Sequence, residues 1–164
     1  MAGSSTAELH LRPTREDDLE YVVAAEADPD NAPFLAPSPR EEHLGFLRDP
    51  RQRHLIAEAG GRAVGFALLR LHPDDRAVEL RRLAVTEKGR GYGRAALRLA
   101  MAQAFDAHGA HRLWLDVKPH NERAIALYRS AGFVEEGLLR DALYYRDRFE
   151  SLIVMSILRH EWTP

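Results

Sequence analysis

Gly89, Gly91 and Gly93 stand at alternate positions, threaded with Lys88, Arg90 and Arg94, and lead into an alanine- and leucine-rich segment. A helix starting there presents N–H groups without intrahelical partners and the positive end of its dipole, and both attract anions. Alternating glycines let backbone approach a ligand with no side chain in between. The neighbouring cations suit phosphate oxygens, arginine having the better geometry. The chemistry this pattern serves is the cradling of a diphosphate; a flexible turn with solvated charges is the competing reading. A P-loop ends in glycine-lysine-serine/threonine, whereas Arg94 and Ala95 follow the last glycine here. A Rossmann fingerprint spaces its glycines G-x-G-x-x-G, and this loop is G-x-G-x-G. Neither standard nucleotide loop fits.

Other residue types narrow the chemistry further. There are no cysteines, which excludes disulfides, thiolate nucleophiles and any acyl-cysteine route. Of eight histidines only His108 and His111 lie close together, with no third ligand, so no metal site is expected. The run from Glu16 to Asp30 carries seven carboxylates and no lysine or arginine, which reads as a solvated helical face. The net charge of −2 argues against nucleic-acid binding through bulk positive field. A length of 164 residues with 45% hydrophobic content is that of one globular domain spanning 1–164. No apolar run is long enough to span a membrane and the first residues lack a signal-peptide pattern, so a cytoplasmic protein is expected.

The elements that must position the glycine loop follow from pattern. "LHLRP" reads as a short strand, with Thr14 capping a helix over 15–28 and Asp17 in the capping-box position. "DPDNAPFLAPSP" is a loop, and Ser38, Pro39 and Glu41 form the start of a second helix. "HLIAEAGGRAVGFALL" is a hairpin turning at Gly60-Gly61, and "AVELRRLAV" is the next strand. A helix runs from near Gly91 to His108, followed by the strand "HRLWLDV" and a helix capped by Asn121 and ended by Gly132. Two strands, "FVEEGLLR" and "ESLIVMSIL", close the chain, separated by "DALYYRDR". The strand–helix–strand at 78–117 implies parallel pairing, and the flanking hairpins imply antiparallel pairing. The expected class is α+β: a mixed, mostly antiparallel sheet of seven strands with helices packed on it.

At this point the sequence resembles the GNAT superfamily of N-acetyltransferases, whose co-substrate is acetyl-coenzyme A. Lys88-Gly89-Arg90-Gly91-Tyr92-Gly93 is similar to the family signature of a basic or polar residue, two others, then G-x-G/A, with Lys88 where arginine or glutamine is more usual. "NERAIALYRSAGF" matches the family's N-x-x-A-x-x-L-Y-x-x-x-G-F, and "GLLRDALYYRDRFESLIVMSILRHEW" is similar to the branch acting on ribosomal-protein N-termini or polyamines. The resemblance implies a loop of Lys88, Gly89, Arg90, Gly91, Tyr92, Gly93, Arg94 and Ala95 that holds the pyrophosphate by backbone amides. It implies that main chain at Leu83, Ala84 and Val85 pairs with the pantetheine arm, with an amide facing the thioester oxygen. Asn121, with Ala124 on the same helix, is implied to bind the pantetheine; a plain helix cap is the alternative.

Transfer from a thioester to an amine requires a neutral nucleophile, a donor for the developing oxyanion and protonation of the leaving thiolate. The resemblance makes Tyr128 the acid, against a core role suggested by Ala124, Leu127, Tyr128 and Ala131 at helical spacing. Glu79 is the candidate base, against a surface carboxylate paired with Arg81, and ordered water is an alternative base. The implied reaction is direct acetyl transfer in a ternary complex to an amine acceptor, a protein N-terminus or small amine. The acidic first helix, which borders the acceptor entrance in the family, would favour a cation. A non-catalytic acyl-coenzyme A sensor is the alternative, and the apolar last strand makes a homodimer an expectation.

Overall fold

The computed structural model describes residues 8–164. Seven strands form one sheet: β1 (Leu9–Pro13), β2 (Gln52–Ala59), β3 (Arg62–His72), β4 (Ala77–Val85), β5 (Arg112–Val117), β6 (Val134–Tyr145) and β7 (Arg148–Leu158). Their order is β1-β2-β3-β4-β5-β7-β6, with β4 and β5 parallel and every other pair antiparallel. The helices are α1 (Leu19–Ala27), α2 (Arg40–Arg48), α3 (Tyr92–Ala102, continued by a π-helical turn over Gln103–Ala107) and α4 (Glu122–Ser130). The expected α+β class and seven-stranded sheet are both present.

Alternation along the strands divides the core between the two faces. On one face Leu55, Leu69, Leu80, Leu113 and Leu115 pack with Leu97, Met101 and Phe105 of the α3 segment and with Ile125 and Tyr128 of α4. On the other, Leu19, Val22 and Ala25 of α1 pack on Ile56, Phe66 and Ala84. A bulge in β4 opposes Leu68 with Arg82 and Leu69 with Leu80, leaving Arg81 as the extra residue. Both Arg81 and Arg82 then reach the Phe46 ring of α2, at 5.1 and 5.7 Å from its centroid. The β2–β3 turn is the expected glycine pair, with φ of 58° at Gly60 and 74° at Gly61.

Three local expectations differ from the structure. Thr14 caps no helix: its Oγ1 meets His54 Nδ1 at 2.8 Å, and the chain enters α1 through a 3₁₀ turn at Glu16–Asp18. The capping carboxylate is Asp18 rather than Asp17; it accepts from the Arg15 amide at 2.8 Å and is held by two Arg12 hydrogen bonds. Ser38 likewise caps nothing, because its Oγ accepts from Arg82 and α2 starts at Arg40 without a side-chain cap. The segment "DALYYRDR" does not separate the last strands. β6 runs through it to Tyr145 and turns at Arg146 and Asp147, which take φ of 51° and 60° without glycine.

The acidic run is not simply a solvated face either, since Glu26 is completely buried. Two substitutions separate close approach from chain freedom. A Cβ at Gly65 would lie 2.4 Å from the Ala84 carbonyl, so Gly65→Ala is expected to destabilise by roughly 1–3 kcal/mol. Gly45→Ala, in α2 with nothing within 4 Å of the new Cβ, is expected to stabilise by roughly 0.5–1 kcal/mol. Urea titration of both variants checks the opposite signs.

Candidate active site

β4 and β5 pair only at Ala77–Arg112, Val78–Leu113 and Glu79–Trp114, and then part. The wedge between them opens into a cleft of about 840 Å³, lined by Leu83 and Val85 of β4, the glycine loop, and Asn121, Ala124 and Tyr128 at α4. Opposite stands a wall from the segment after α1, formed by Asp30, Asn31, Phe34 and Leu35.

The glycine loop delivers α3 to the mouth of this cleft. Gly89 and Gly91 hold φ of 77° and 76°, and a Cβ on either would meet no protein atom within 4 Å. α3 begins at Tyr92 and its first intrahelical bond is Ala95 N–H to Gly91 O, at 3.1 Å. The amides of Tyr92, Gly93 and Arg94 are therefore the orphan donors of this terminus. Three convergent amides beside a glycine-bared surface fit a diphosphate. Ala95, expected within the cradle, has its amide committed to the helix.

The cations divide. Arg94 lines the cleft, and so does Arg123 from the first turn of α4, which sequence reasoning missed. Arg90 does not line it; its exposed guanidinium lies 3.5 Å from Glu87, which also binds Arg62. Lys88 lines the cleft but donates to Asn31 Oδ1 at 2.9 Å, and burial followed by the nearby Arg123 charge lowers its pKa. Ala84, between Leu83 and Val85, does not line the cleft, its methyl being packed in the α1 core. Asn121 Oδ1 accepts from the Ala124 amide at 3.3 Å, so it caps α4 while lining the cleft.

Tyr128 joins both of its expected environments. Its ring packs against Phe133 with centroids 5.7 Å apart and belongs to the core, yet the residue also lines the cleft. Burial, and then the charge of Asp116, push its phenol up to about 12.

Residues 15–133 match the model of the acetyltransferase (GNAT) family. The chain belongs to that family. It is an acetyl-CoA-dependent N-acetyltransferase. It is 26% identical to spermidine N(1)-acetyltransferase of Escherichia coli K12 over 96% of this chain and 90% of that one. It is 36% identical to N-alpha-acetyltransferase RimI of Mycobacterium tuberculosis over 61% of this chain and 62% of that one. The crystal structure of Vibrio cholerae spermidine N-acetyltransferase with CoA and spermine superimposes with a TM-score of 0.84 at 23% identity, covering 94% of this chain and 97% of that one. That likeness shows the fold.

On the sheet face away from α3 the enzyme carries a second set of groups. Glu79 does not line the cleft; its carboxylate is 3.5 Å from His72 Nε2. Asp116 shares its face, since Glu79 is in register with Trp114 and side chains alternate along β5. Asp116 is open to solvent yet enclosed enough that desolvation, helped by the Glu79 charge and opposed by Arg81, raises its pKa. The alternation of "RLWLDV", with Leu113, Leu115 and Val117 turned inward, was the signal that could have found it. Lys118, 3% exposed, donates to the Pro33 carbonyl at 3.0 Å and lies 2.7 Å from Glu150, tying the wall to β7. No local pattern announced that role.

Two outcomes follow for the enzyme. Gly91→Val is expected to weaken coenzyme A binding at least tenfold by calorimetry, with strain of ~1–2 kcal/mol in thermal unfolding from the positive φ. Ultraviolet difference titration of wild type against Tyr128→Phe is expected to show one phenol ionising near 12 rather than near 10. Because the folded pKa is raised, the associated stability is intact below pH 10 and is lost as pH climbs from 10 towards 12.

Proposed function

We propose that this enzyme moves the acetyl group directly, within a ternary complex, to a cationic primary amine: a polyamine-like small amine or a protein N-terminus. The observation that carries this reading is the position of Tyr128, which lines the coenzyme cleft while sensing the charge of Asp116 on the acidic face. The names of the relatives, acting on spermidine or on protein N-termini, support the same acceptor class.

Bound acetyl-CoA supplies the acyl group as a thioester whose thiolate, with an ordinary thiol pKa of about 8.5, departs more readily when protonated. In the proposed arrangement the amides of Tyr92, Gly93 and Arg94 hold the pyrophosphate, with Gly89 and Gly91 giving room and Lys88 and Arg123 adding positive field. Main chain from Leu83 to Val85, with Asn121 and Ala124, lines the pantetheine arm, and an amide at the end of β4 faces the acyl oxygen. An alkylammonium with pKa of about 10.4 must lose a proton before it attacks. Asp116, accessible and partly desolvated, receives that proton, and Glu79 beside it adds negative field that draws the ammonium in. Tyr128, neutral throughout the working pH range, donates its proton to the leaving sulfur, and the second nitrogen proton, released as the amide forms, restores the phenol.

The exposed apolar side chains of the last hairpin, Val134, Leu138, Leu139, Tyr144 and Phe149, favour a homodimer through that edge. The apolar residues Met155 and Ile157 of β7, by contrast, are already used in the core.

The test is product mass spectrometry after incubation of acetyl-CoA with spermidine and with alanine- and serine-starting peptides. Acetylated product is expected from one of these classes. Asp116→Asn is expected to lower kcat/KM by roughly 10²-fold or more, the usual scale of a lost general base. Tyr128→Phe is expected to lower kcat with coenzyme A affinity unchanged. Tight coenzyme binding without turnover of any amine would leave a sensor module instead.

A further inference from the structure

A line of four buried side chains, Thr14, His54, His43 and Glu26, crosses the α1/α2 side of the sheet and ends on the half-buried Arg82. Arg82 Nη1 lies 2.7 Å from Glu26 Oε2, and the other carboxylate oxygen, Oε1, meets His43 Nε2 at 2.5 Å. His43 Nδ1 meets His54 Nε2 at 3.1 Å, and His54 Nδ1 meets Thr14 Oγ1 at 2.8 Å. Glu26 and His43 are 0% exposed and His54 is 5%. Burial pushes His54 down to about 3, so it stays neutral.

A carboxylate only accepts, so His43 Nε2 carries the hydrogen of its contact with Glu26. The contacts join end to end, from the Thr14 hydroxyl to a carboxylate against a guanidinium. Well-packed apolar side chains fill such a space without loss of stability. What the line adds is direction.

That direction ends on the cleft. Arg82, oriented by Glu26, donates through Nη2 to Ser38 Oγ at 2.8 Å and to the Ala36 carbonyl at 3.2 Å, while the Ser38 amide donates to Glu26 Oε1 at 3.3 Å. Ala36 and Ser38 close the segment whose Phe34 and Leu35 wall the cleft opposite the coenzyme cradle. Within it, the amides of Asn31 and Ala32 donate to Asp28 O and those of Phe34 and Leu35 to Asn31 O. These bonds exist only while the segment keeps its shape.

We propose that Glu26, His43 and His54 are positioning residues for acetyl transfer: they lock the Arg82 guanidinium, and through it the 28–38 wall, in the form that receives the acceptor amine. This rests on the proposed transfer to an amine acceptor.

Glu26→Gln and Arg82→Ala are compared with wild type in three measurements: steady-state kinetics with spermidine and with an alanine-starting peptide, coenzyme A calorimetry, and hydrogen exchange. Both variants are expected to raise the amine KM tenfold or more while the coenzyme A Kd stays within twofold. Exchange at 31–35 is expected to quicken at least tenfold with exchange in α3 unchanged, and Arg82→Lys to recover part of both effects. An unmoved amine KM and unmoved wall exchange overturn the proposal. So does a loss in which coenzyme affinity and α3 protection fall in step with the wall, which marks general destabilisation. If wild type acetylates neither probe, the amine reading fails on its own; wall exchange still decides whether the line holds the segment.

Discussion

The parting of β4 from β5 after three residue pairs is the constraint on which the site depends. A parallel ladder that stops inside a sheet leaves main-chain donors and acceptors facing an opening, and such groups need partners. The same parting sets the end of β4 where α3 begins and leaves α4 free to bring Tyr128 against the wedge. The bulge at Arg81 works with it, shifting the register so that Leu83 lines the cleft while Arg82 turns to the α1/α2 side.

Lys88, Arg94 and Arg123 line the cleft together with Asp30, Glu87 and Glu122. Glu79 and Asp116 share a sheet face outside that lining. Burial raises both the Tyr128 phenol and the Asp116 carboxyl.

The wall facing the cradle has Leu35 packed on the α1 core and is otherwise tied by polar contacts. Lys88 at Asn31, Lys118 at Pro33 and Arg82 at Ala36 hold it from three different places in the chain. Each cation is itself half-buried or buried, where a hydrogen bond to a carbonyl or amide oxygen is stronger than in water. Shape in this part of the molecule is kept by directional polar contacts, which is the condition under which a loop can be rigid without being core.

Patterns confined to a few neighbouring residues were legible before any coordinates. Strand alternation, the Gly60-Gly61 turn, the glycine loop opening α3 and the Asn121 cap depend on local sterics and local hydrogen bonds, so seven strands, four helices and the start of α3 could be read from residue types alone. The partners of polar side chains could not. Thr14 and Ser38 look like helix caps, and each instead serves a residue more than 35 positions away. Glu26 looks like one of a solvated acidic run and is buried because α2 and β4 bring His43 and Arg82 to it. Asp116 and Lys118 acquire their surroundings only when β5 is set between β4 and β7. By itself the sequence determined which elements form and where the glycine-bared start of α3 lies. Only the tertiary structure decided which charges are buried, paired or left open, because that choice depends on groups remote in the chain being packed within hydrogen-bonding reach.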